Sequence, residues 1–104
     1  MRDVEFMEEV EEAIDGGNVT FILFTRRDTE EREQLLRRVD RLLRRNPAVH
    51  AFHIDLDRIP TAAGRYTIFH APGFVIYFRG TMASKVEGAF RPSHVSKSLA
   101  AILG

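Results

Sequence analysis

Residues 19–24 read Val-Thr-Phe-Ile-Leu-Phe, a nearly unbroken apolar run rich in β-branched and aromatic side chains. A strand with one wet face alternates apolar and polar residues, so such a run describes a strand covered on both faces. It demands helices above and below a sheet, and the flanking sequence supplies them. Upstream, Val4, Met7, Val10 and Ile14 recur at helical spacing with Phe6 and Ala13 beside them, which predicts an amphipathic helix over 3–15 with Asp3 as N-cap. Gly16-Gly17-Asn18 stops it. Downstream, Asp28 and Glu31 fit a capping box, and Leu35, Leu36, Val39, Leu42 and Leu43 form the buried stripe of a helix running to about Arg45. Asn46-Pro47 ends that helix.

The second half continues in the same style. Residues 48–56 predict a strand with Phe52 and Ile54 on one face. Residues 58–66 predict a short polar helix or turn, and 74–79 and 82–89 two further strands around Gly80. Gly88 is expected inside the last strand as a bulge or a close backbone approach. Pro92 opens a final helix in which Val95, Leu99, Ile102 and Leu103 face inward. Strands 19–24 and 49–55 are joined by a helix, so they are parallel with a right-handed crossover. Strands 74–79 and 82–89 are joined by a short turn and form an antiparallel hairpin. One α/β domain over residues 1–104 follows: a central mixed four-stranded sheet, two parallel strands plus the hairpin, with helices on both faces.

Several functions are excluded or disfavoured by composition. The chain has no cysteine, which removes disulfides, zinc–thiolate sites, iron–sulfur clusters and thiol redox chemistry. No apolar run approaches the roughly 20 residues of a membrane span. The N-terminus is acidic and lacks the basic and apolar regions of a secretory signal, so a cytoplasmic protein is expected. Bases and acids cancel at 15 each, but they are not mixed evenly. Residues 1–25 hold seven acids and one arginine, whereas residues 26–45 hold eight arginines and five acids. An acidic helix on a mildly basic body is expected, chiefly as solvated surface.

Candidate chemistry is sparse. His50 and His53 are three apart on a predicted strand and point to opposite faces, so they cannot share a metal ion. Asp55 and Asp57 could pair for acid–base work, but a structural role is expected for them. Gly16-Gly17 lies between a helix and a strand, the wrong order for a phosphate loop. The arginine helix carries Glu30, Glu31, Glu33 and Asp40 and no exposed aromatic residue, which disfavours nucleic acid. Neither a cofactor, a metal nor a membrane partner is expected.

The segment Ile54-Asp55, Ala63, Tyr66, Ile68, Pro72, Phe78 and Gly80 resembles the second half of a thioredoxin, and the resemblance extends over nearly the whole chain. It implies a thioredoxin-like fold without the family's extra N-terminal strand, for which residues 1–3 leave no room. It implies a cis Ala71–Pro72 bond, with the residue before the proline turned outward toward an extended peptide. It also places Thr29-Glu30-Glu31-Arg32 where the family carries Cys-x-x-Cys, Leu23 at its buried carboxylate and Ala51 at its lysine. Without sulfur, disulfide exchange is excluded, and a redox-inactive module that binds a protein or peptide is the expected function. Its expected surface is Arg26, Arg27, Asp28, Thr29, Glu30, His70, Ala71, Pro72 and Gly88, and the arginines favour an anionic partner. His70 is a candidate contact because it can donate, accept or titrate near neutrality. The alternatives are a structural, self-assembling subunit (a homo-oligomer through the acidic helix) and a cysteine-independent glutathione-binding enzyme.

Overall fold

A computed structural model describes residues 1–27 and 30–104. The elements are β1 (Arg2–Asp3), α1 (Met7–Asp15), β2 (Thr20–Thr25), α2 (Glu30–Leu43), β3 (His50–Asp55), α3 (Thr61–Tyr66), β4 (Gly73–Phe78), β5 (Thr81–Glu87) and α4 (Pro92–Leu103). They build one mixed sheet in the order β1-β3-β2-β4-β5. β2 runs parallel to β3 and antiparallel to β4, and β4 and β5 form the hairpin.

The unbroken run of β2 is explained by what covers it. Ile22 and Phe24 enter one core with Val10 and Ile14 of α1 and with Ala62 and Tyr66 of α3. Phe21 and Leu23 enter a second core with Val39 and Leu43 of α2 and with Val95 and Leu99 of α4. Successive strand residues point to opposite faces, so a strand with helices on both sides has no wet position. Ring contacts reinforce each layer, stacked in one and tilted in the other. Phe21 lies 5.5 Å from Phe74, and Phe24 lies 5.6 Å from Tyr66.

The sheet has five strands, not four. Arg2 and Asp3 do form an edge strand, parallel to β3 and in register with Phe52 and His53. Two residues suffice because other bonds hold the segment. The Val4 N–H donates to the His53 carbonyl at 2.9 Å. The N-terminal ammonium donates to Asp40 at 2.6 Å. Asp3 is therefore a strand residue and not an N-cap. Helix α1 starts at Met7 behind Phe6, which offers no side-chain cap.

Other boundaries move by a few residues. After Leu43 the chain tightens to shorter turns, Arg45 N–H to Leu42 C=O and Asn46 N–H to Leu43 C=O, which ends α2 before Arg45. The capping box expected at Asp28 lies outside the described residues. Gly88 follows β5 rather than interrupting it. The irregularity falls earlier, where the pairing steps from Ile76↔Ser84 to Tyr77↔Met82 and leaves Ala83 as the extra residue. Leu103 is exposed, not inward, because the α4 stripe of Val95, Leu99 and Ile102 lies a step round the helix from it.

Candidate functional site

At the end of the sheet where β2 gives way to α2, the chain leaves a cavity of about 410 Å³. Thr25 and Arg26 contribute from the end of β2, and Glu31, Arg32, Gln34, Leu35 and Arg38 from one side of α2. Ala71 and Pro72 contribute from the turn before β4, and residues 89–92, Ala-Phe-Arg-Pro, from the link between β5 and α4. Its lining combines an apolar group, Leu35, Ala71, Pro72, Ala89, Phe90 and Pro92, with four guanidinium groups and one carboxylate. Phe90 is held by an edge contact to Phe74, with centroids 5.0 Å apart, so this part of the lining belongs to the core.

Arg26 and Arg27, at the exit of β2, are anchored from beyond the end of β3. The Asp57 carboxylate accepts the Arg27 N–H at 2.7 Å and lies 3.7 Å from Arg26 Nη1. Asp55 accepts the Asp57 N–H at 2.9 Å through one oxygen and pairs with Arg32 at 3.2 Å through the other. Arg27 adopts φ 62°, a left-handed conformation uncommon in a residue with a side chain, and its bond to Asp57 holds it there. The two aspartates thus hold the Arg27 backbone and the Arg32 side chain in place. Arg32, at the position the resemblance gives to a second cysteine, is mostly buried and also pairs with Glu33 at 3.2 Å.

On the opposite side of the cavity, the Ala71–Pro72 peptide is cis. Glu87 fixes the turn by accepting the Phe69 N–H at 2.6 Å and the His70 N–H at 3.3 Å. The Gly88 N–H closes it by donating to the His70 carbonyl at 3.2 Å. The Phe69 N–H holds the Glu87 carboxyl below its usual range, against the opposing effect of desolvation, and the His70 N–H and the charges of Lys85 and His70 add to it. Among the described residues, neither the N–H nor the C=O of Ala71 has a backbone partner.

Next to the cavity runs a hydrogen-bonded chain. Thr25 Oγ1 lies 2.7 Å from His53 Nε2, and His53 Nδ1 lies 2.8 Å from Asp3 Oδ1. The order hydroxyl, imidazole, carboxylate is that of an acyl-transfer relay. Its exposure is the reverse of one: Thr25 is 2 % exposed, whereas the Asp3 side chain is 83 % exposed. A nucleophile must be open to substrate and its orienting carboxylate sheltered, so this chain ties β1, β3 and β2 together instead. The carboxylate and lysine positions of the resemblance hold Leu23, fully buried, and Ala51, packed against the same core.

Of the surface expected from sequence, Arg26, Ala71 and Pro72 line the cavity. Arg27 and Gly88 act through backbone bonds at its margin. His70 is exposed beside it, with its backbone tied to Glu87 and Gly88. Glu30 turns along α2, accepting from Gln34 and Arg37 at 3.5 Å. Asp28 and Thr29 lie outside the described residues. Leu35, Arg38, Phe90 and Arg91 were not expected there. The signal for the last two was present, an aromatic–arginine pair just ahead of the helix-opening Pro92. Among the described residues no cluster of three histidine or acidic side chains could hold a metal, and no helix is long and apolar enough to cross a membrane.

No protein-family model and no curated protein sequence matches the chain. Solved structures do. A designed protein is 23 % identical with a TM-score of 0.88, over 99 % of this chain and 92 % of that one. The thioredoxin of Trypanosoma brucei brucei is 22 % identical with a TM-score of 0.85, over 97 % and 88 %. The thioredoxin of Fasciola hepatica is 20 % identical with a TM-score of 0.85, over 97 % and 98 %. At these identities the likeness is one of fold, and it runs the length of the chain: this chain has a thioredoxin-like fold and contains no cysteine.

Proposed function

We propose that the chain is a non-catalytic binding module that holds an extended segment of another protein in the cavity between α2, the Ala71–Pro72 turn and residues 89–92. The observation that carries this reading is the apolar lining of that cavity beside Ala71, whose backbone N–H and C=O have no backbone partner among the described residues. An extended chain brings both things such a place lacks, main-chain donors and acceptors and a side chain to fill the cavity. Disulfide exchange has no support, because it requires sulfur. Self-assembly through the acidic helix has less support than the cavity does. Glu9 and Glu11 of α1 already face Arg2 and Arg65 of the same chain, at 3.8 and 3.3 Å.

Selection from a displayed library of linear peptides tests the reading. Ala89 is exposed at the cavity, so Ala89→Trp fills the space without entering the core. Peptides selected on the natural chain are expected to lose tenfold or more in affinity to this variant. Peptides that bind both forms equally, or the failure of any to be selected, would remove the cavity as the site.

A further inference from the structure

We infer that the segment held in this cavity is acidic, with a carboxylate on each side of an apolar residue; the inference rests on the binding reading above. Four arginines line the cavity, and they are not equivalent. Arg32 is engaged with Asp55 and Glu33, each at 3.2 Å. Arg26 has Asp57 at 3.7 Å. Arg38 and Arg91 are exposed, and among the described residues neither is paired with a carboxylate, although the chain balances its bases and acids at 15 each.

These two guanidinium groups come from different walls, Arg38 from α2 and Arg91 from the approach to α4, with Leu35 and Phe90 also in the lining. Two like charges brought to one cavity repel each other, and an anion that enters relieves the repulsion. A guanidinium presents a planar fork that matches a carboxylate. The apolar residues that share the lining call for an aliphatic or aromatic side chain. A segment reading acidic–apolar–acidic meets all three demands, whereas a basic segment would add positive charge to a lining that already holds four arginines against one carboxylate, Glu31. Nucleic acid meets only the charge, since the arginines here accompany an apolar lining in which Phe90 is already packed on Phe74.

The same peptide library supplies the test, with Arg38→Gln and Arg91→Gln as variants. Both positions are exposed, so both variants are expected to melt with the natural chain. Peptides selected on the natural chain should be enriched in Asp or Glu on both sides of an apolar residue. Their affinity should fall about threefold to tenfold with either glutamine and further with both, and it should weaken as salt is raised. Selected peptides with neutral or basic flanks that still lose affinity to Ala89→Trp would overturn this inference and leave the binding reading standing. Displacement of the acidic peptides by single-stranded RNA at lower concentration than the peptides themselves would overturn it in favour of a nucleic-acid site. If no peptide is selected, both fall together.

Discussion

The imidazole of His53 lies 2.8 Å from the carboxylate of Asp3 and so fastens a strand of two residues to the body of the sheet. The same ring reaches Thr25 at 2.7 Å on its other side, so three strands are joined through one side chain. Asp3→Ala removes the exposed end of this tie and is expected to cost about 1 kcal/mol. His53→Ala also strands the buried Thr25 hydroxyl and opens space, and should cost about 2–4 kcal/mol. Urea denaturation measures both. Amide exchange at Val4, whose N–H is bonded to His53, should quicken in Asp3→Ala; unchanged exchange would mean that backbone pairing alone holds β1.

Gly64 and Gly73 should respond to alanine in opposite directions. Gly64 lies within α3 with nothing near a would-be Cβ, so Gly64→Ala is expected to stabilise by about 0.5–1 kcal/mol. At Gly73 a Cβ would stand 2.8 Å from the Val86 carbonyl and 3.3 Å from that of His70. Both are backbone atoms and cannot swing aside. Gly73→Ala should therefore cost 2 kcal/mol or more, on the order of other overpacked sites, and should loosen the Ala71–Pro72 turn. Thermal melts of the two variants side by side decide the matter.

Tyr66 is buried, and its hydroxyl has no hydrogen-bond partner among the described residues. Burial pushes its phenol up to about 12, with Arg65 opposing and Glu11 and Tyr77 assisting. A folded-state value raised above the unfolded one means full stability below about pH 10, and stability lost as pH rises toward the folded value near 12. Tyr66→Phe deletes an unsatisfied polar atom without changing the ring. It is expected to be neutral or to stabilise by up to about 1 kcal/mol near neutrality, and to flatten the alkaline limb of the stability curve. A loss of more than about 1 kcal/mol would show that the hydroxyl has a partner.

Glu87 makes the turn beside the cavity sensitive to acid. Its folded-state value is depressed, first by the Phe69 N–H, so its contribution is present above the unfolded carboxylate value of about 4.3 and is lost as pH falls through the lower folded one. Amide exchange at Phe69 and His70 should speed up through that acidic range more than intrinsic exchange does. Glu87→Gln, uncharged at every pH, should remove the transition. A variant that keeps it would place its origin elsewhere.

The layers were legible in the sequence because they rest on periodicity. The run through Phe21, Ile22, Leu23 and Phe24 needed two covered faces, and the stripes through Val39 and Val95 supplied helices for one of them. Strand β1 was not legible, because Arg2 and Asp3 carry no apolar pattern and pair through backbone groups and a histidine fifty residues away. The cavity lining was legible where it is local, at Arg26 and Ala71–Pro72. It was not legible where distant segments converge. Leu35 looked like an ordinary member of a buried stripe and Arg38 like a solvated charge, and only the return of Phe90 and Arg91 from beyond β5 gives them a common space.

Leu23 and Ala51 belong to the apolar layer shared with α2 and α4, and the chain contains no thiol at all. A segment bound in the cavity as proposed would therefore form no mixed disulfide with this chain, and its residence time would be governed by dissociation alone. Oxidants and reductants would have no direct handle on that equilibrium through a thiol of this chain, and occupancy would follow concentration and ionic strength.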